Sequence, residues 1–395
     1  MTARREVWIT GVGLITCLGD GLAAAWTHLE RGDPPPYDAK SFAPYIVHPL
    51  PPVNFDQQIP KKSDQRQMEL WQRIGVYAAG LALSDAGIAH KPELLDATDM
   101  IVAAAGGERD VAADSAILAG LRKAAAPDAF LNERLMSDLR PTLFLAQLPN
   151  LLAGNISIVH GVVGCSRTFL GEEAAGVDAV RIAQARVAAG QSELTLVGGA
   201  YNGTRWDILL IFEQSGAALK GVFAPVWDRG PDGAMAPGNM GAFLVLESRQ
   251  HAEKRGARAH ARLAAVCSDR NVRRTGEIEA TLRRQWDTVA GRIDRAHAGV
   301  ISGASGVQPA TAAEATALKE IGLPVRNTGT YIGHGLEAQF PASLAIACAA
   351  LEHGRLFAAA GTGDVGTSPP DLSQVVVTGV GHWRGEGLAL VERVK

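Results

Sequence analysis

Short apolar runs alternate with longer Ala-rich stretches whose apolar positions recur at helical spacing, from one end of the chain to the other. Val7 to Gly11 has the character of a buried strand. The same reading applies to Met100 to Ala105, Thr195 to Gly199, Phe243 to Glu247, Gly299 to Ser302, Val375 to Thr378 and Leu388 to Glu392. Between these runs the pattern predicts helices over Gly21 to Arg31, Trp71 to Gly87, Thr311 to Ile321 and Pro341 to Glu352, and one ending at Gly190. Alternation of this kind implies an α/β fold with sheets covered by helices. Asp33 to Pro60 is rich in proline and has little helical pattern, so it reads as an extended surface excursion. The charged stretch Glu247 to Ala257 reads as a junction between two halves. No strict sequence repeat relates those halves, although they can share a fold without one.

The chain has 395 residues, 47% of them hydrophobic, which is enough for two domains or one large one with an ample core. A formal net charge of -3 argues against a dedicated nucleic-acid partner. The short basic clusters Arg122-Lys123 and Arg273-Arg274 read as solvated helix ends. Four cysteines, Cys17, Cys165, Cys267 and Cys348, lie far apart and form no CxxC pair, so no metal site is expected. Their mostly apolar neighbours predict buried, reduced thiols in a cytoplasmic protein. The first residues contain no signal-peptide stretch, and no apolar run is long enough to span a membrane.

Five stretches carry a family resemblance. They are Val7 to Gly13 continuing to Leu18-Gly19; Leu148 to Ile158; Gly161 through Gly164, Ser166 and Thr168 to Ala174 and Gly176; Asp232-Gly233 with Gly238 and Gly241 to Glu247; and Gly333-His334 before an Ala-rich helix. In order and spacing the chain resembles the β-ketoacyl-acyl-carrier-protein synthases of fatty-acid biosynthesis. The resemblance implies a thiolase fold: two pseudo-duplicated halves, residues 1–250 and 251–395, in a five-layer αβαβα sandwich, usually paired as a dimer. It also implies a chemistry. A cysteine thiolate at a helix N-terminus takes an acyl group from acyl carrier protein, and two histidines then assist decarboxylation and condensation.

The chain departs from that pattern at several points. Glu173 stands at the nucleophile position, and a carboxylate there cannot form the usual thioester. Glu172 and Glu173 would each favour a helix N-terminus by about 0.3–1 kcal/mol; alternatively, Glu173 blocks or shapes the acyl entrance. Cys165, eight positions earlier, reads as a small packed residue at the start of a strand rather than as a substitute nucleophile. Ala304 falls at the first histidine position, and His297 reads as a surface helix end. The second histidine remains as His334, but Gly329 replaces the lysine five residues before it. Val380 stands where the family has a gating phenylalanine, in Gly379-Val380-Gly381-His382-Trp383, and Asn239 approximately matches a family glutamate.

The resemblance is closest to the chain-length-factor-like branch that lacks the cysteine, and to ketosynthase-like proteins of the very-long-chain fatty acids of rhizobial lipid A. The expected function is a non-catalytic subunit that shapes the acyl tunnel of a heterodimeric synthase. Its expected partners are an active ketosynthase relative, or itself in a homodimer, and an acyl carrier protein that brings its own phosphopantetheine; no other cofactor is expected. The alternatives are a stand-alone condensing enzyme or malonyl-carrier-protein decarboxylase, and an acyl- or carrier-protein-binding scaffold. Gly106 to Asp110 and Glu213 to Ser215 are expected near the pocket or interface.

Overall fold

The computed structural model describes residues 4–138 and 145–394. The strands are β1 (Val7–Thr16), β2 (Gly19–Asp20), β3 (Asp99–Ala104), β4 (Ser166–Leu170), β5 (Leu194–Tyr201), β6 (Met240–Ser248), β7 (Ala261–Asp269), β8 (Ala298–Ser302), β9 (Val325–Asn327), β10 (Gln374–Val380) and β11 (Glu386–Glu392). They join in the order β4-β3-β5-β6-β1-β7-β11-β10-β8-β9, with β2 paired to β1. The order conceals a repeat. β4, β3 and β5 are parallel, and β6 and β1 continue antiparallel. β9, β8 and β10 are likewise parallel, and β11 and β7 continue antiparallel. The two groups meet where Trp8 and Ile9 of β1 pair with Arg262 and Ala261 of β7.

Helices complete five layers. The helix Leu70–Asp85 covers the outer side of β1, β5 and β6. Helices Glu277–Asp287 and Ala310–Ile321 cover β11 and β10 on the far side. Between the two strand groups lie Glu173–Ala188 and Gln339–His353, which touch each other and strands of both groups. Gln339–His353 is buried at every position through Leu351. A helix in a central layer has no solvent face, so it is apolar nearly all round. The largest core cluster draws residues from both groups.

Every strand and helix expected from periodicity is present, with ends shifted by a few residues. Several other expectations need correction. The excursion at 33–60 is not wholly superficial: Tyr45 to His48 are buried, because Tyr45 and His48 bridge to Lys220 and Gly238. Glu247 to Ala257 is not only a junction, since it holds the end of β6 and a short helix, Arg249–Arg255, capped by Ser248. His297 sits in a turn, bound to Asp294 at 2.8 Å, rather than at a helix end. The thiols divide: Cys17 and Cys348 are buried, Cys267 is half-buried and Cys165 is exposed. Cys165 is not packed because it leads into β4, the open edge of the sheet. Arg122 and Lys123 are exposed, but Arg273 turns inward to pair with Glu386.

Candidate functional site

Glu173 is the first residue of the central helix that follows β4. A helix start carries free N–H groups and a partial positive charge, which favour a carboxylate. Glu173 is only 3% exposed. Its Oε1 accepts a hydrogen bond from His334 Nε2 at 2.8 Å, a second from His382 Nδ1 at 2.8 Å, and a third from the His382 backbone N–H at 3.2 Å. Glu173 Oε2 and His334 Nδ1 are buried without partners.

Each histidine is held by its own surroundings. The His334 N–H donates to the Ala236 carbonyl at 2.8 Å, and the His334 carbonyl accepts from Gly238 N–H at 3.0 Å. Gly333 before it has φ +69°, and a Cβ there would lie 2.8 Å from the His48 ring, so only glycine fits this turn. His382 lies in the turn between β10 and β11, closed by Gly381 N–H to Gly385 O at 2.8 Å. Arg273 staples the same turn by pairing with Glu386 and donating to the Gly381 carbonyl. Phe212 packs edge-on against the His382 ring, with centroids 6.0 Å apart.

Burial alone would push the Glu173 carboxyl up. The imidazoles, His382 foremost, overcome this and hold it well below the usual carboxylate range. Burial lowers the His382 imidazole, and the Glu173 charge more than reverses that, leaving it above its ordinary value. The cluster is therefore a carboxylate held by two imidazoles, with His382 shifted toward its charged form and His334 as a second donor. So strongly stabilised a carboxylate is a weak base and a weak nucleophile, and no thiol is among its partners.

The other residues singled out from sequence fall as follows. Ala304 is buried just beyond β8, and its carbonyl accepts from Asn327 Nδ2 at 3.2 Å. Gly329 faces that carbonyl: a Cβ at 329 would sit 2.7 Å from Ala304 O, so no lysine fits this backbone. Val380 packs outward with Ile278, Leu282 and Ala310, away from Glu173. Asn239 is buried and fixes the loop after β5, accepting from Gly203 N–H at 2.7 Å and Thr204 N–H at 3.1 Å. Cys165 lies outside the cluster, its N–H bonded to Asp99 at 3.0 Å. Cys17 lies 3.9 Å from His48 Nδ1, but burial pushes that thiol up and that imidazole down to about 3, so the pair is inert. Gly106, Gly107 and Arg109 border a cavity, whereas Glu213 pairs with Lys220 on the surface. Among the described residues no side-chain group is arranged to hold a metal ion.

Sequence reasoning missed His382 and Arg273. The signal for His382 was present, since the motif that carries Val380 also replaces a family glycine by this histidine. A carboxylate and a histidine that both depart from the pattern are a candidate pair.

The chain matches the family model described as Beta-ketoacyl synthase, N-terminal domain, over residues 4–252. It is 27% identical over 271 residues to 3-oxoacyl-[acyl-carrier-protein] synthase 2 of Vibrio harveyi, covering 66% of this chain and 62% of that protein, so it spans less than two thirds of that relative. Among solved structures, the ishigamide ketosynthase/chain length factor aligns over 100% of both chains with a TM-score of 0.81 and 19% identity. A chain of the AntDE:AntF complex, a type II polyketide acyl-carrier protein with its ketosynthase bound to the hexaketide, aligns over 99% of this chain and 100% of that one, with a TM-score of 0.73 and 17% identity. At these identities the likeness establishes the fold, which is of the thiolase type.

Proposed function

The chain belongs to the β-ketoacyl synthase family, and from that premise we propose that it is a non-catalytic ketosynthase-like subunit. It pairs with an active ketosynthase relative, or with a second copy of itself, and shapes the acyl tunnel at their interface. The observation that supports this reading is Glu173, a buried carboxylate bound by His334 and His382 at the position that the family resemblance assigns to the nucleophile. Ala304 at the first histidine position supplies no proton donor or acceptor from its side chain, and Gly329 supplies no charge. His334 is bound to Glu173 rather than poised for decarboxylation. In this reading residues 1–250 and 251–395 are the two ketosynthase-like halves.

The open edge at β4 supports the pairing. Ser166, Arg167 and Leu170 are exposed there, and exposed Ile158 and Val163 precede them. An unpaired strand edge with apolar neighbours is a template for strand addition. One structural relative is a ketosynthase/chain length factor and another is a ketosynthase in complex with its acyl-carrier protein, which supports a ketosynthase partner and an acyl carrier protein here. We place the work in fatty-acid biosynthesis in the cytoplasm, on very long acyl chains of the lipid A type, with phosphopantetheine arriving on the carrier protein.

The test is intact mass of the purified chain after incubation with acyl-carrier protein, repeated with Cys165→Ser, followed by co-purification with an active synthase. We expect no acyl adduct, and a complex whose product length differs from that of the synthase alone. An adduct lost in the serine variant would instead identify an unorthodox condensing enzyme. Release of CO₂ from malonyl-carrier protein by the isolated chain would identify a decarboxylase.

A further inference from the structure

Outside the Glu173 cluster the chain holds an apolar pocket of about 720 Å³, within the range of about 300–1,000 Å³ typical of small-molecule sites. It lies between the helix Ala310–Ile321, the start of β9 and the loop 362–366, and shares no residue with the cluster. Trp227, Leu318, Leu323, Val325 and Val365 are among its walls. Polar bonds behind these walls hold the loop in place. Asp364 accepts from the Ala360 N–H at 2.9 Å, the Asn327 N–H at 2.9 Å and the Trp227 indole N–H at 3.1 Å. Arg326, itself buried, donates to the Val365 and Gly366 carbonyls at 3.2 Å each. Asp228 accepts from the Thr362 N–H at 3.0 Å. Gly363 lies so close to the indole that a Cβ there would stand 2.3 Å from the ring. A loop tied at so many points has little freedom to close over the pocket, and its apolar wall stays open: Val365 is 49% exposed.

The chemistry of a ligand follows from the walls. Lys319 is the one ionisable side chain on them. It is exposed, and its ammonium group makes no ion pair or hydrogen bond among the described residues. The acids nearby are committed, Glu320 to Arg283 at 2.7 Å and Asp228 to Thr362. The partial negative charge of the helix end is capped by Arg295, which donates to the Ile321 carbonyl at 2.5 Å. A wholly apolar ligand therefore gains nothing from the ammonium, a cation is repelled by it, and a polyanion meets a single charge among apolar walls. We propose that this pocket binds a small amphipathic monoanion, an alkyl or aryl body bearing one carboxylate, with the body against Trp227, Leu323 and Val365 and the carboxylate at Lys319. The proposal is independent of the role of Glu173 and of whether the chain pairs with an active synthase.

The probe is octanoate against octanamide, which keeps the length and shape and lacks the charge. Binding to the full chain at neutral pH and low ionic strength is followed by saturation-transfer NMR titration. Octanoate should bind about two- to fivefold more tightly than octanamide, the gain expected of an exposed ion pair. Lys319→Gln, at an exposed position, should remove that preference and leave octanamide binding as it was. Ala315→Trp fills the pocket from another exposed position of the same helix and should abolish binding of both probes. Both variants should melt at the parent's temperature. Equal affinity for the two probes, no octanoate binding at millimolar concentration, or octanoate affinity unchanged in both variants would overturn the proposal.

Discussion

The two central helices occupy matching places in the two strand groups, one after β4 and one after β9, yet they begin in opposite chemical states. Glu173 opens the first with a buried charge. Gln339 opens the second with a buried neutral amide, accepting from Gly335 N–H at 2.9 Å and donating to Thr328 Oγ1 at 3.0 Å. Thr328 in turn meets Ser343 at 3.0 Å. The fold therefore accepts either solution at a central helix start. The charged one depends on all its partners, because a buried carboxylate that loses a donor retains its full desolvation cost.

His382→Ala should break that comparison most severely. It strips Glu173 of the imidazole that stabilises its charge most, and we expect a loss of about 3–5 kcal/mol, the usual cost of leaving one partner of a buried pair. Gln339→Ala, the matching disruption in the second half, should cost about 1–3 kcal/mol. Urea unfolding of both variants measures the difference. Equal losses would mean that the charge at Glu173 adds nothing to the fragility of its site.

A double-mutant cycle sharpens the point. Glu173→Gln alone should destabilise by about 1–3 kcal/mol, since the amide keeps one acceptor and loses the charge. In the Glu173→Gln background, His382→Ala should cost clearly less than in the parent, because no carboxylate remains to be orphaned. Additive losses in the cycle would contradict the pairing.

The charged start should also respond to pH where the neutral one does not. The depressed Glu173 pKa contributes stability that is present above the ordinary carboxyl value near 4.5 and is lost as pH falls through the lower folded value. The raised His382 pKa contributes stability that is complete below the ordinary imidazole value near 6.5 and is lost as pH rises through the higher folded value. Both describe one ion pair seen from its two ends, so its contribution is greatest between those two ordinary values. Melting temperature against pH should show that maximum more strongly in the parent than in Glu173→Gln. Identical profiles would remove the pair as a source of pH dependence.

The unequal legibility of the two halves has a physical basis. β1, β3, β5 and β6 are buried along their whole length and show as apolar runs. β7 reads Ala-Arg-Leu-Ala-Ala-Val-Cys-Ser-Asp, an Ala-rich composition that suits a helix as well, and its strand state is set by pairing with β1 and β11. β9 is three residues long, too short to show a period. The positions of Glu173 and His334 were readable because motifs surround them. His382 stands in such a motif too, but its pairing with Glu173 exists only once the β10–β11 turn is brought over the central helix. Arg273 was hidden for the same reason: a charged surface residue and a charged staple look alike until Glu386 is placed beside it.

The smallest expected effect is the most specific. Glu173→Cys places a thiol at the first residue of the central helix, where the helix N-terminus and the nearby imidazoles would favour a thiolate. It should nevertheless leave condensation of malonyl- and acyl-carrier protein at background. Ala304 offers no imidazole, and a lysine at 329 has no room, because even its Cβ would stand 2.7 Å from the Ala304 carbonyl. A thiol placed there supplies only the first half of the chemistry, and an acylated but stalled thiol, visible by intact mass, is the expected end point. Appreciable β-ketoacyl product from this variant would mean that proton donors other than these positions serve the site, and that the charged start of this helix is the only barrier between this chain and an active synthase.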